Sequence, residues 1–138
     1  MHIGVMGHSG LSEITEMLVR GELWKLITGY QTYGLVGVSP LGEGPESWFA
    51  SAVLEHGGSL EVLGTPTAPA AAPLLRRARA VHRLSPGLDP TESLLGLVDE
   101  LVAVWDGEPG GPLAEAVARA EARGTCVHVI WPEGSARS

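Results

Sequence analysis

Residues 101–124, LVAVWDGEPGGPLAEAVARAEARG, read as a strand, a glycine-rich turn and a helix in immediate succession. Leu101 to Trp105 form a short, continuously apolar run, the pattern of a strand covered on both faces in a parallel sheet. Asp106, Gly107, Pro109, Gly110 and Gly111 break that run. Pro112 then suits the first position of a helix, where its missing N–H costs nothing, and Leu113, Ala114, Val117 and Ala120 supply an apolar stripe that runs to a stop at Gly124. A βα unit results. Its loop lies at the carboxyl end of a strand, where bare glycine backbone and the partial positive charge of a helix N-terminus accommodate a phosphate. Any α/β protein needs such turns, and Pro112 removes one N–H an anion would use, so the loop gains weight only in company.

Working outward, the same alternation recurs. His2 to Met6 reads as an opening strand, followed by the tight loop Gly7, His8, Ser9, Gly10 and a helical pattern over 11–28 whose apolar face is expected from Leu11, Ile14, Met17, Leu18, Val19, Leu23 and Leu26. GLVGVS (34–39) is a second strand, PLGEGPE a loop, and Trp48 to His56 a helix ended by Gly57 and Gly58. Leu60 to Leu63 is a third strand. The stretch 65–73, TPTAPAAAP, reads as an extended crossing, Leu74 to Ala80 as a short helix, and 80–84 as a possible short strand. Asp89, Pro90 and Glu92 have the spacing of a capping box opening a helix. Cys126 to Trp131 is a last apolar strand, with Cys126 read as an interior thiol. Five clear strands and one short one, interleaved with helices, predict an α/β Rossmann-like three-layer α/β/α sandwich with a mainly parallel sheet. The expected organisation is one domain over 1–132 and a flexible C-terminal tail over 133–138.

Composition narrows the function. At 138 residues the chain is long enough for one well-covered core. Nine Lys and Arg against 16 Asp and Glu give a net charge of −7, which disfavours a nucleic-acid or anionic-membrane surface. No run reaches the roughly 18 to 20 apolar residues of a membrane span. One cysteine excludes an internal disulfide and suits a cytoplasmic location. The Ala- and Gly-rich, Lys-poor composition suits a bacterial source.

Three glycine-rich loops follow separate strands: GHSGL, SPLGEGPE and DGEPGGP. In a doubly wound sheet they gather on one edge, so Gly7, His8, Ser9, Gly10, Ser39, Glu43, Gly44, Glu46, Thr65, Asp106, Gly107, Gly110 and Gly111 are the candidate nucleotide-binding residues. Neither a Walker loop nor GxGxxG is present. His2, His8, His56, His82 and His128 are scattered, so no metal site and no cofactor are expected. Arg76, Arg77, Arg79 and Arg83 form either a solvated face or a cationic wall for a phosphate. Glu115 is the candidate catalytic acid, although Arg119 at i+4 offers it a surface partner.

With these loops in place, the chain resembles the SLOG superfamily, named for the DNA-processing Smf proteins and the Lonely Guy enzymes, and looks like a small bacterial stand-alone member. The resemblance is carried by GVMGHSG, by LVGVSPLGEGPESWFASAVLEHGGSLEVLGTP, and by VDELVAVWDGEPGGPLAEAVARAEARGTCVHVIWP. Gly110, Gly111 and Glu115 are similar to the later part of the PGGxGTxxE motif of Lonely Guy enzymes, with Pro112 where Thr stands there. The resemblance implies a Rossmann-like fold, a nucleotide or nucleotide-derived ligand at the loop edge, and a homodimer. Two functions follow as expectations: a sensor or binding module for a phosphorylated nucleoside, or a nucleoside 5'-monophosphate N-glycosidase using Glu115. Trp24, Tyr30 and Trp48 are the aromatic residues expected at a dimer contact.

Overall fold

The computed structural model describes residues 1–84 and 86–137. Six strands, β1 (His2–Gly7), β2 (Val36–Ser39), β3 (Ser59–Leu63), β4 (Ala80–His82), β5 (Glu100–Val104) and β6 (Cys126–Ile130), alternate with five helices, α1 (Glu13–Thr28), α2 (Pro45–His56), α3 (Ala71–Arg77), α4 (Pro90–Leu97) and α5 (Pro112–Ala122). The sheet is wholly parallel, in the order β4-β3-β2-β1-β5-β6. This is the Rossmann-like sandwich that the alternation predicts.

Side chains alternate across the sheet, so its two faces collect different cores. Ile3, Val5, Val102 and Val104 pack with Val19, Leu23 and Ile27 of α1 and with Phe49 and Val53 of α2. Leu60 and Val62 extend that layer under α2 and α3 through Ala50, Ala71 and Leu74. On the opposite face Val36, Val38 and Leu101 meet Leu94 and Leu95 of α4 and Ala120 of α5.

Several expectations are adjusted. In α1 the buried positions are Thr15, Val19, Leu23 and Ile27, one every four residues, whereas Ile14 and Met17 are 67% and 72% exposed. Helix α2 begins at Pro45, three residues before the expected start, because proline serves as its first helical residue. Helix α3 begins at Ala71, inside the stretch read as an extended crossing. At α4 only half of the capping box forms. Asp89 accepts the Thr91 N–H at 3.0 Å, but Glu92 turns to Arg119 and Arg123. Cys126 is exposed, since β6 is the sheet's edge and nothing pairs beyond it among the described residues. A continuous apolar run thus does not by itself tell an edge strand from an inner one.

Residues 133–137, expected to be a flexible tail, return to the domain. The Ala136 N–H donates to the buried Thr15 hydroxyl at 2.7 Å, that hydroxyl donates to the Ala136 carbonyl at 3.0 Å, and Arg137 bridges to Leu11. Ser138 lies outside the described residues. Among the described residues no helix is long and apolar enough to cross a membrane.

Candidate functional site

The strand order reverses between β1 and β5: β2, β3 and β4 are laid down on one side of β1, and β5 and β6 on the other. Loops leaving the carboxyl ends of two such strands diverge to opposite faces and open a crevice between them. Here those loops are 8–12, leading to α1, and 105–111, leading to α5.

The two loops touch. The His8 N–H donates to the Val104 carbonyl at 3.1 Å, and His8 Nε2 lies 3.2 Å from Asp106 Oδ1. Both side chains are largely buried, yet His8 Nε2 finds no well-directed hydrogen bond, so the contact is close but misaligned. Asp106 Oδ1 accepts the Glu108 N–H at 3.0 Å, and Arg137 lies 3.3 Å from Oδ2. The Glu108 amide, together with His8 and Arg137, outweighs the partial burial of Asp106 and keeps its carboxyl below the usual range. Trp131 stands edge-on to His8, with ring centroids 6.0 Å apart. Arg137 and Trp131 were not foreseen at the site; nothing in a C-terminal segment rich in Gly and Ser signals that it returns to a loop 31 residues earlier.

The second loop meets the first. Gly44, at φ +87, is so placed that a Cβ on it would lie 3.7 Å from the His8 carbonyl and 3.8 Å from Ser9 Cα. Behind it Glu46 turns inward and accepts the Gly42 N–H at 3.1 Å. Burial pushes its carboxyl up to about 7, against the opposing pull of the Gly42 and Gly7 amides. Glu46 is therefore a carboxyl poised near neutrality at the carboxyl edge of the sheet, the kind of group that collects at functional sites. Ser39 is fully buried; its hydroxyl donates to the Glu46 carbonyl at 2.9 Å and accepts the Leu41 N–H at 3.0 Å. It shapes the loop from inside. Leu41, held at φ 55, is the one non-glycine residue with positive φ among the described residues. Glu43 and Gly44 border a hollow of about 400 Å³ with Arg20, Ser47, Trp48 and Pro73.

The remaining candidates divide. Gly7 is needed for packing, since a Cβ there would sit 2.8 Å from Pro45 Cβ. Ser9, Gly10, Gly107 and Gly110 are exposed along the loops, and around Gly107, Gly110 and Gly111 a Cβ would meet nothing within 4 Å. Gly111 is the N-cap of α5 and offers no side-chain cap, so the N–H groups of Leu113 and Ala114 at this helix start face the loop without one. Thr65 is exposed just past the end of β3, beside a separate hollow shared with Pro66, Leu75, Val81 and Arg83. Glu115 is 63% exposed and paired with Arg119 at 2.5 Å, in a surface network that continues to Asp89, the N-cap of α4, and to Glu92 in its first turn. Arg76 and Arg77 are exposed, and Arg79 binds Glu61 at 2.9 Å.

No family model matches this chain, and no curated protein matches it in sequence. Solved structures do match in fold. DNA processing protein A from Streptococcus pneumoniae superposes with a TM-score of 0.70 at 21% identity, over 96% of this chain and 51% of its own. The present chain therefore spans about half the length of that protein. DNA processing protein A from Helicobacter pylori, described with a single-stranded DNA binding mode, gives 0.65 at 11% identity, over 99% and 68%. The Moco carrier protein of Chlamydomonas reinhardtii gives 0.62 at 22% identity, over 94% and 74%. At such identities the likeness is one of fold. It is the Rossmann-like fold that the SLOG resemblance implies.

Proposed function

We propose that this chain is a cytoplasmic binding module that holds a phosphorylated nucleoside or nucleotide-derived ligand at the carboxyl edge of its sheet. The observation that carries the reading is the start of α5: a helix with no side-chain cap, preceded by open glycines, at the point where strand order reverses. Its amides and dipole suit a phosphate. Beside it the ionised Asp106 is an acceptor for sugar hydroxyls and His8 a donor, while the hollow bordered by Glu43 and Gly44 is the place for the base. The molybdenum cofactor carrier noted above is a precedent for carriage on this fold. The single-stranded DNA binding described for the Helicobacter pylori protein does not suit a chain of net charge −7.

Thermal unfolding against a panel of nucleoside mono-, di- and triphosphates tests the reading. A ligand at tenfold its Kd adds about 1.4 kcal/mol to stability. A complete panel without any shift overturns the proposal. The engagement of Glu115 by Arg119 favours binding over N-glycosidase chemistry, so nucleoside 5'-monophosphates are expected back intact after incubation. Release of free base, lost in Glu115→Gln, would reverse that preference.

The module is proposed to pair as a homodimer through the outer side of α1. Ile14, Met17 and Trp24 are exposed there at helical spacing, with Gly21 between them leaving room for a close partner. Met17→Lys places a charge at the centre of that stripe. Light scattering is expected to report twice the 14.4 kDa chain mass for the native protein and the single mass for the variant. A native protein of single mass at micromolar concentration removes the dimer.

A further inference from the structure

The amino edge of the sheet, opposite the loops, carries a second set of polar side chains that the nucleotide reading does not use. Parallel register sets Glu100 of β5 directly beside Cys126 of β6, and His128 follows two residues on, on the same face as Cys126. Tyr30, just past the end of α1, closes over them. The His128 Nε2 lies 2.6 Å from Glu100 Oε1, 3.2 Å from the Tyr30 hydroxyl and 3.9 Å from Cys126 Sγ. The sulfur, nitrogen and carboxylate oxygen all fall within 4.8 Å of one another.

We infer that Glu100, Cys126 and His128 form a site for a divalent cation of the zinc class, with the Tyr30 oxygen or a water as fourth donor. The donor set argues for it. A thiolate and an imidazole select a borderline ion over calcium or magnesium, and a carboxylate completes a common zinc triad. The spacing agrees as well. Bonds of about 2.0 to 2.3 Å arranged tetrahedrally require donors about 3.3 to 3.6 Å apart, so the ion needs the His128 and Glu100 pair to open by less than an ångström and the thiol to close in. Without an ion, His128 Nε2 and Glu100 Oε1 are held together by their direct hydrogen bond. The ion takes the place of that hydrogen bond, and the Cys126 thiol proton leaves to solvent as the thiolate binds. Access is open: Cys126 is exposed, and a groove of about 490 Å³ bordered by Glu22, Lys25 and Leu26 runs up to His128. Asp99 adds a negative charge nearby. Another histidine and carboxylate group, His82 and His2 around Glu61, lacks a sulfur and serves as the control.

Titration of the reduced protein with cobalt(II) chloride tests the assignment. One ion per chain is expected, with a near-ultraviolet thiolate-to-cobalt absorption band that zinc chloride abolishes by displacement. Cys126→Ser is expected to lose the band, and both it and His128→Gln to weaken zinc binding at least tenfold, while His82→Gln leaves band and affinity unchanged. Absence of the band in the native protein, or zinc affinity that survives Cys126→Ser and His128→Gln but falls in His82→Gln, overturns the site. Cys126 is exposed, and the native spectrum requires no variant, so loss of folding does not cloud the result.

Discussion

Glu46→Gln is expected to stabilise the protein by about 3 kcal/mol at pH 8.5 and by close to nothing at pH 4.5. Burial raises the Glu46 carboxyl from an ordinary 4.5 to about 7. Between those values the folded chain retains a proton that the unfolded chain has released. Stability therefore falls as pH rises through this window, and the loss is complete above it. A displacement of this size corresponds to about 3 kcal/mol. Glutamine keeps the shape and still accepts the Gly42 N–H, but has no charge to bury. Other groups titrate over the same range, so the informative quantity is the difference between the two proteins, measured by urea unfolding at several pH values. Parallel stability curves would show that Glu46 ionises without cost, its burial relieved by water at the loop edge.

The same carboxyl illustrates what the sequence made legible. The strands, their parallel order and the three loops at one edge follow from runs such as LVAVW and GLVGVS and from the glycines after them, because periodicity and turn chemistry are local properties. That Glu46 belongs to a loop at the carboxyl edge of the sheet was also readable, as part of SPLGEGPE. That it turns inward beneath Gly42 was not, since the inward turn depends on Pro45 starting α2 early against Gly7. Ser39 shows the reverse: a hydroxyl in the right loop, consumed entirely by that loop's own backbone.

Features that depend on distant pairing escaped entirely. Glu100, Cys126 and His128 meet only because β5 and β6 are neighbours in one particular register, and a scan of histidine spacings along the chain cannot see across strands. The i, i+2 pair of Cys126 and His128 was the available clue, since on a strand it places both on one face. The same holds for Arg137 beside Asp106. Likewise the exposure of Ile14 and Met17 arises from which stripe of α1 the sheet claims, and a helix with apolar residues on two sides leaves that choice to the tertiary contacts.

Gly111→Asp is expected to move stability and ligand affinity in opposite directions. Gly111 sits at φ −104, a conformation open to any residue, and a Cβ there meets nothing within 4 Å, so the substitution introduces no strain. Aspartate is a favoured N-cap, and its carboxylate would accept a hydrogen bond from the uncapped N–H groups of Leu113 or Ala114. Replacing glycine also restricts the unfolded chain. Together these add from a few tenths to about 1 kcal/mol of stability. The same carboxylate then occupies the seat proposed for the phosphate and places a like charge about 4 Å from it, a repulsion of about 1 to 4 kcal/mol in surroundings between water and a protein surface. Affinity for a nucleotide identified in the panel is thus expected to fall about 100-fold by calorimetry. A better-folded protein that has lost its ligand cannot be explained by damage to the fold. If the variant is stabilised and still binds with native affinity, the phosphate does not sit on α5, and the crevice between His8 and Asp106 holds the ligand in another orientation or not at all.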